Sequence, residues 1–204
     1  MEKDNQTYTA LWLLFKNGDK EAFSELYQLH IKSLIAYGAK LCDDEELLKD
    51  NIQDLFIELW NSRENLADVD CVKFYLFKAL RYKLIRSEKI RQSQSLFSKN
   101  FSEAASIYNS RFEQSVESEL IEKELLNTQI SSLQKAIKSL TKRQQEAVQL
   151  RFYQGFTNEQ IAELMGMSYQ SVSNLMYTAL CRLKKNLTTP VFTSALATVF
   201  HFFF

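Results

Sequence analysis

"FTNEQIAELMGMSYQSVSNLMYTALCRLKK", residues 156–185, decides the fold of the second half of the chain. Its apolar residues recur at helical spacing, break once around Gly166 and resume after a serine. Thr157 stands where a side chain caps a helix, and Gln160 completes a capping box three residues on. Ile161, Leu164 and Met165 make the buried stripe of a short helix, and Ala162 is small enough for a second helix to cross close by. Gly166 can take the left-handed conformation that ends the first helix. Met167 fills the turn, Ser168 caps the second helix, and Val172, Leu175 and Met176 face back onto the first. A glycine in a helical hairpin is common; agreement of all these positions at once predicts a helix-turn-helix.

In such a unit the second helix enters the major groove with its N-terminal outward side chains leading. Here those are Tyr169, Gln170, Ser171, Ser173 and Asn174, beside the capping Ser168 and with Tyr177 one turn on. Gln and Asn can pair bidentately with adenine, and Ser with several bases, so this surface can read sequence. It holds no cation. Phosphate anchoring is expected from Arg151, Arg182, Lys184 and Lys185 around it.

The rest of the 204-residue chain is built from the same material. With 4 Gly and 1 Pro, sheet and tight-turn chemistry has little to work with, and the expected fold is all-α. The periodicity divides the chain into two small helical domains joined by a flexible linker. Residues 1–91 read as consecutive amphipathic helices, 92–130 as a serine-rich connector, 131–187 as the helix-turn-helix domain and 188–204 as an apolar tail. Cys42, Cys71 and Cys181 lie far apart and match no metal-ligand spacing. With no apolar N-terminal signal segment, they read as reduced thiols of a cytoplasmic protein. No phosphate-binding glycine loop or zinc-binding histidine pair stands out; His30 reads as packed on a helix and His201 lies in the tail. No enzyme, metal or cofactor is expected.

The formal net charge of zero hides a segregation. Residues 1–95 carry 14 Lys/Arg against 16 Asp/Glu, residues 96–130 carry 3 against 6, and residues 131–204 carry 8 against 3. Within the first block, residues 73–91 hold seven basic side chains and one acidic, Glu88. One basic patch is commonly a solvated face; two on separate helical modules point to a polyanion touched at two places. In "FYLFKALRYKLIRSEKIR", Tyr75, Leu76, Ala79, Leu80 and Leu84 form the expected buried stripe, while Lys78, Arg81, Tyr82, Lys83 and Arg86 remain outward. Aromatics among cations suit single-stranded DNA, where bases stack and the backbone needs neutralising. Upstream, "KDNIQDLFIELW" sets Ile52, Leu55, Phe56, Leu59 and Trp60 on one face and Asp50, Gln53, Asp54 and Glu58 on the other. Taken alone, that second face is a solvated acidic surface or a docking strip.

"NGDKEAFSELYQLH", "LLKDNIQDLFIELW" and "YLFKALRYKLIR" resemble, in order and spacing, region two of bacterial sigma factors; "AIKSLTKRQQEAVQLRFYQGF" resembles the opening of region four. The two-region architecture is similar to the extracytoplasmic-function (ECF) group, nearest to its iron-citrate-type branch. The resemblance implies that Asp50, Gln53 and Asp54 dock on the clamp helices of the RNA polymerase largest subunit, with the flap as a further polymerase contact. It implies that the "KALRYKLIR" helix meets the −10 element, that residues 61–70 capture a flipped base, and that residues 168–177 meet the −35 element. Where the family often has Asn, this chain has Tyr82, which leaves the −10 preference open. An anti-sigma factor, in one reading membrane-bound, is the expected regulator. A linker of some 35 residues can reach about 115 Å at ~3.3 Å each, ample for two promoter elements about 60 Å apart. Its acidic balance suits a basic polymerase channel or a plain tether. The tail, ten of whose fourteen residues after Pro190 are apolar, is too short to span a membrane. It folds back on the domains, docks on a regulator or membrane surface, or stays disordered. The rival function is a helix-turn-helix regulator that binds duplex operators without polymerase.

Overall fold

The computed structural model describes residues 2–98 and 133–186; the linker and tail expectations fall outside the described residues. Among those described, the regular structure is helical throughout, as composition predicts. The first half consists of α1 (Glu2–Lys16), α2 (Lys20–Leu41), α3 (Glu45–Ser62), a 3-10 turn at Arg63–Asn65 and α4 (Val72–Ser98). The second comprises α5 over residues 133–138, α6 (Lys142–Val148), a π-helical turn at Gln149–Tyr153, α7 (Asn158–Met165) and α8 (Tyr169–Asn186).

Local chemistry sets the helix starts. Asp19 accepts from the backbone N–H of Glu21 and Ala22 at 2.8 and 3.0 Å, and Asp44 from that of Leu47 at 3.1 Å, so α2 and α3 both open on a capping carboxylate. Reciprocal capping boxes open α6 (Thr141 with Gln144) and α7 (Thr157 with Gln160). α4 runs on to Ser98, past residue 91, where the serine-rich connector was expected to begin. Serine and glutamine are only mildly unfavourable in a helix, so they do not stop one already under way.

Burial of one stripe from each helix makes the N-terminal core. Trp12 and Phe15 of α1, Leu26, Leu34 and Tyr37 of α2, Ile52 and Leu55 of α3, and Leu76, Leu80 and Leu84 of α4 are all buried. Aromatic rings knit the α1–α2–α3 corner, with Phe23 tilted 5.1 Å from Trp60 and stacked 5.5 Å from Phe15. Gly38 lets α3 cross close to α2, for a β-carbon there would run into Leu48. Between α3 and α4, Asn51 donates to Leu47 O at 2.7 Å and accepts from the Ser87 hydroxyl at 2.9 Å, a buried polar tie.

The C-terminal core gathers Leu140, Leu150, Ile161, Val172, Met176 and Leu180. This half does not stand apart from the first. Phe156 lies edge-on to Phe74 (5.7 Å) and Phe77 (5.3 Å) of α4, and Gln149 donates to Ala36 O of α2 at 3.0 Å.

Candidate functional site

The helix-turn-helix forms as its sequence requires. Gly166 takes φ 64°, ψ 42°, ending α7, and the N–H of Met167 turns back to Ala162 O at 2.9 Å. Ser168 Oγ accepts from Ser171 N at 3.1 Å and so opens α8. Ile161, Ala162, Leu164, Met165, Val172 and Met176 are buried between the helices, with Leu175 at the edge. Outward lie Ser168, Tyr169, Gln170, Ser171, Asn174 and Tyr177, with Ser173 half-buried. Gln170 Nε2 reaches Asn174 Oδ1 at 3.4 Å, a weak bond that a base edge can displace. Arg182, Lys184 and Lys185 are exposed on the same helix. Arg151 has a different post: it donates to Phe156 O at 2.8 Å, tying down the segment ahead of α7, and burial lowers its pKa.

On α3, Asp50, Gln53 and Asp54 all point to solvent along one face, while Glu58 pairs with Lys83 of α4 at 2.6 Å. Gln53 also borders an open groove of about 760 Å³ between α2 and α3, walled by Phe23, Tyr27, Ile35, Phe56 and Ile57. Tyr27, Ile35 and Ile57 are exposed apolar residues there. The sequence reading passed over them. Their signal is an isoleucine, Ile57, one turn beyond Gln53 on an otherwise polar face.

The basic face of α4 is divided. Tyr82 is 67% exposed, and Arg86 is exposed near it. Lys78 pairs instead with Glu163 of α7 at 2.6 Å, and Arg81 Nε with Glu146 of α6 at 2.8 Å. Lys73 donates to Gln154 O at 2.9 Å. The same oxygen of Glu146 that takes Arg81 also accepts the Tyr37 hydroxyl at 2.9 Å. Burial first, then the neighbouring carboxylate of Glu146, pushes the Tyr37 phenol far above its ordinary value, so it stays protonated and donates. Two of the five expected −10-side residues thus face the second half of the chain.

Ahead of α4, the connecting segment is pinned at several points. Arg63 lies 4.8 Å over the Trp60 ring and donates to Trp60 O, Trp12 Nε1 donates to Ala67 O at 3.3 Å, and Lys16 pairs with Asp68 at 2.5 Å. No group of His, Cys, Asp or Glu suited to a metal ion occurs among the described residues.

Residues 130–183 match the family described as "Sigma-70, region 4". Among curated proteins, the chain is 23% identical over 174 residues to the RNA polymerase sigma factor YlaC of Bacillus subtilis, covering 83% of this chain and 94% of that one. It is 24% identical over 188 residues to bacteriocin UviA of Clostridium perfringens, covering 86% and 96%. Among solved structures, the fold is similar to the sigma factor RpoE of Bartonella quintana in its complex with the anti-sigma factor NepR, with a TM-score of 0.57, 21% identity, and coverage of 82% of this chain and 98% of that one. CnrH in complex with the cytosolic domain of CnrY gives a TM-score of 0.53 at 17% identity, covering 87% and 94%.

The helix-turn-helix thus belongs to a sigma-70 region 4 domain, packed against a second helical unit with an acidic strip. Over most of its length, the chain is similar to a sigma factor.

Proposed function

We propose that this chain brings the RNA polymerase core to particular promoters and helps to open them. Asp50, Gln53 and Asp54 dock on the clamp helices of the largest subunit, and the helix-turn-helix domain lies near the flap. Residues 168–177 read the −35 element, with Arg182, Lys184 and Lys185 on phosphates. Tyr82 and Arg86, joined by Lys78, Arg81 and Lys83, hold the opened strand at the −10 element. Opening costs a few kcal/mol per unstacked base, offset by stacking and by contacts to an extruded base. Work of this kind places the protein in the cytoplasm, and an anti-sigma factor is its natural regulator. Two similar solved structures are themselves complexes, one named with an anti-sigma factor and one with CnrY. The nearer placement beside the iron-citrate-type branch rests on the motif resemblance alone and belongs to this proposal.

One observation carries the docking role: α3 presents three polar side chains, Asp50, Gln53 and Asp54, to solvent on a helix whose opposite face is core. Because they support nothing inside, Asp50→Lys with Asp54→Lys is expected to leave folding intact and abolish run-off transcription with purified core. A double variant that still initiates at the same start sites overturns the docking role. A wild-type chain that binds duplex promoter DNA but neither core nor start sites makes the protein a conventional operator-binding regulator instead.

A further inference from the structure

Glu146 is a carboxylate in an unusual place. It is 5% exposed, and the two side chains bonded to it, Tyr37 and Arg81, both belong to the other half of the chain. A buried charge is costly unless it is paired and hydrogen-bonded. Within the second half alone, nothing described would answer it, whereas water would do so once the halves part. Its environment therefore holds together only while the halves are closed. Around it, Lys78 meets Glu163, Lys73 meets Gln154 O, and Phe156 fills the gap between Phe74 and Phe77. Of these cations, Arg81 is largely covered and Lys78 is paired at the edge, and both lie on the face of α4 assigned above to DNA.

We propose that Glu146, seconded by Glu163, acts as a built-in substitute for the DNA backbone. It occupies Arg81 and closes the part of the basic face of α4 around it until the halves separate and phosphates replace carboxylates. The contact suits exchange rather than permanence. It combines a small aromatic cluster with polar bonds, as reversible interfaces between domains do. Opening hydrates Glu146 at the moment Arg81 is handed to an anion of the same sign. The ligand exchanged on Arg81 depends on the sigma-factor reading; the closed state does not.

The test uses the full chain alone. Glu146→Gln keeps the shape and the bond from Tyr37 but removes the charge that holds Arg81. The radius of gyration from small-angle scattering is expected to rise. Affinity for the single-stranded probe (dT)20 is expected to increase about tenfold, the factor by which a 10:1 closed preference depresses apparent binding. Tyr37→Phe, which removes one hydroxyl, is expected to move both readouts the same way by less. Arg81→Glu combined with Glu146→Arg is expected to restore the compact radius without restoring DNA binding. Unchanged radius and unchanged (dT)20 affinity in Glu146→Gln overturn the proposal, as does a wild-type chain that is already extended. Since no polymerase or promoter is present, failed run-off transcription with these results intact would strike the function and leave the latch standing.

Discussion

His30 is a buried imidazole whose Nε2 meets no hydrogen-bond partner in the protein, with the Tyr8 ring 5.6 Å away. Burial, and after it the positive charge of Lys73, lowers its pKa from 6.5 to about 4. Between those values the unfolded chain binds the proton and the folded one does not, so stability is full above about pH 6.5 and falls as pH drops toward about 4. At ~1.36 kcal/mol per pH unit the loss amounts to about 3 kcal/mol. Urea denaturation across this range is expected to show that slope in the wild type and a flatter one in His30→Leu; equal slopes would assign the acid sensitivity to other groups. Gly38 shows a steric constraint of the same local kind. Gly38→Ala improves helix propensity by up to ~1 kcal/mol, yet its methyl group meets Leu48 inside the α2–α3 crossing. Overpacking there is expected to cost about 1–3 kcal/mol and to lower the urea midpoint.

Among the elements, α7 and α8 were the most legible in sequence. Their caps, turn glycine and facing stripes are all local, each decided within about four residues of its partner. The polar face of α3 was legible for the same reason. α4 was only half legible. Tyr75, Leu76, Ala79, Leu80 and Leu84 gave one stripe, but Phe77 is wholly buried and Arg81 half-buried because a second surface packs on the helix from sequence positions 65 to 81 residues away. No periodicity within α4 announces such a partner. Arg151 has a second engagement of the same kind, a bond to Phe156 O that no local pattern announces. Arg182 and Lys184 remain on the exposed side of α8. If each contacts a phosphate, Arg182→Ala and Lys184→Ala are each expected to reduce the slope of log affinity against log salt by about 0.9 on promoter duplex. A slope unmoved by either change would remove these residues from the interface.

Across the whole molecule, the two surfaces differ in access. The α3 strip and the groove beside it face solvent, whereas Lys73 and Arg81 of α4 lie against the second half, with Lys78 paired at its edge. On the proposed function, polymerase can therefore be engaged while Arg81 is still covered, and separation of the halves is a step of its own. What joins them is contributed by widely spaced residues: Tyr37 and Ala36 on α2, Lys73, Lys78 and Arg81 on α4, and Glu146, Gln149, Gln154 and Glu163 in the second half.

The π turn at Gln149–Tyr153 has a geometric effect on everything downstream. Each residue of an α-helix advances the chain by about 100°, so one extra residue accommodated in a wide turn re-aims all that follows without lengthening the axis much. Here it lets Gln149 address α2 while Phe156 reaches α4. Excising a single residue from this turn, for instance exposed Tyr153, would let the helix rewind to its common pitch. On the proposed function, the module beyond it is expected to stay folded by circular dichroism yet miss its duplex target, like a key cut correctly and inserted a quarter-turn out. Retained duplex affinity after such an excision would show that the downstream unit finds its own bearing.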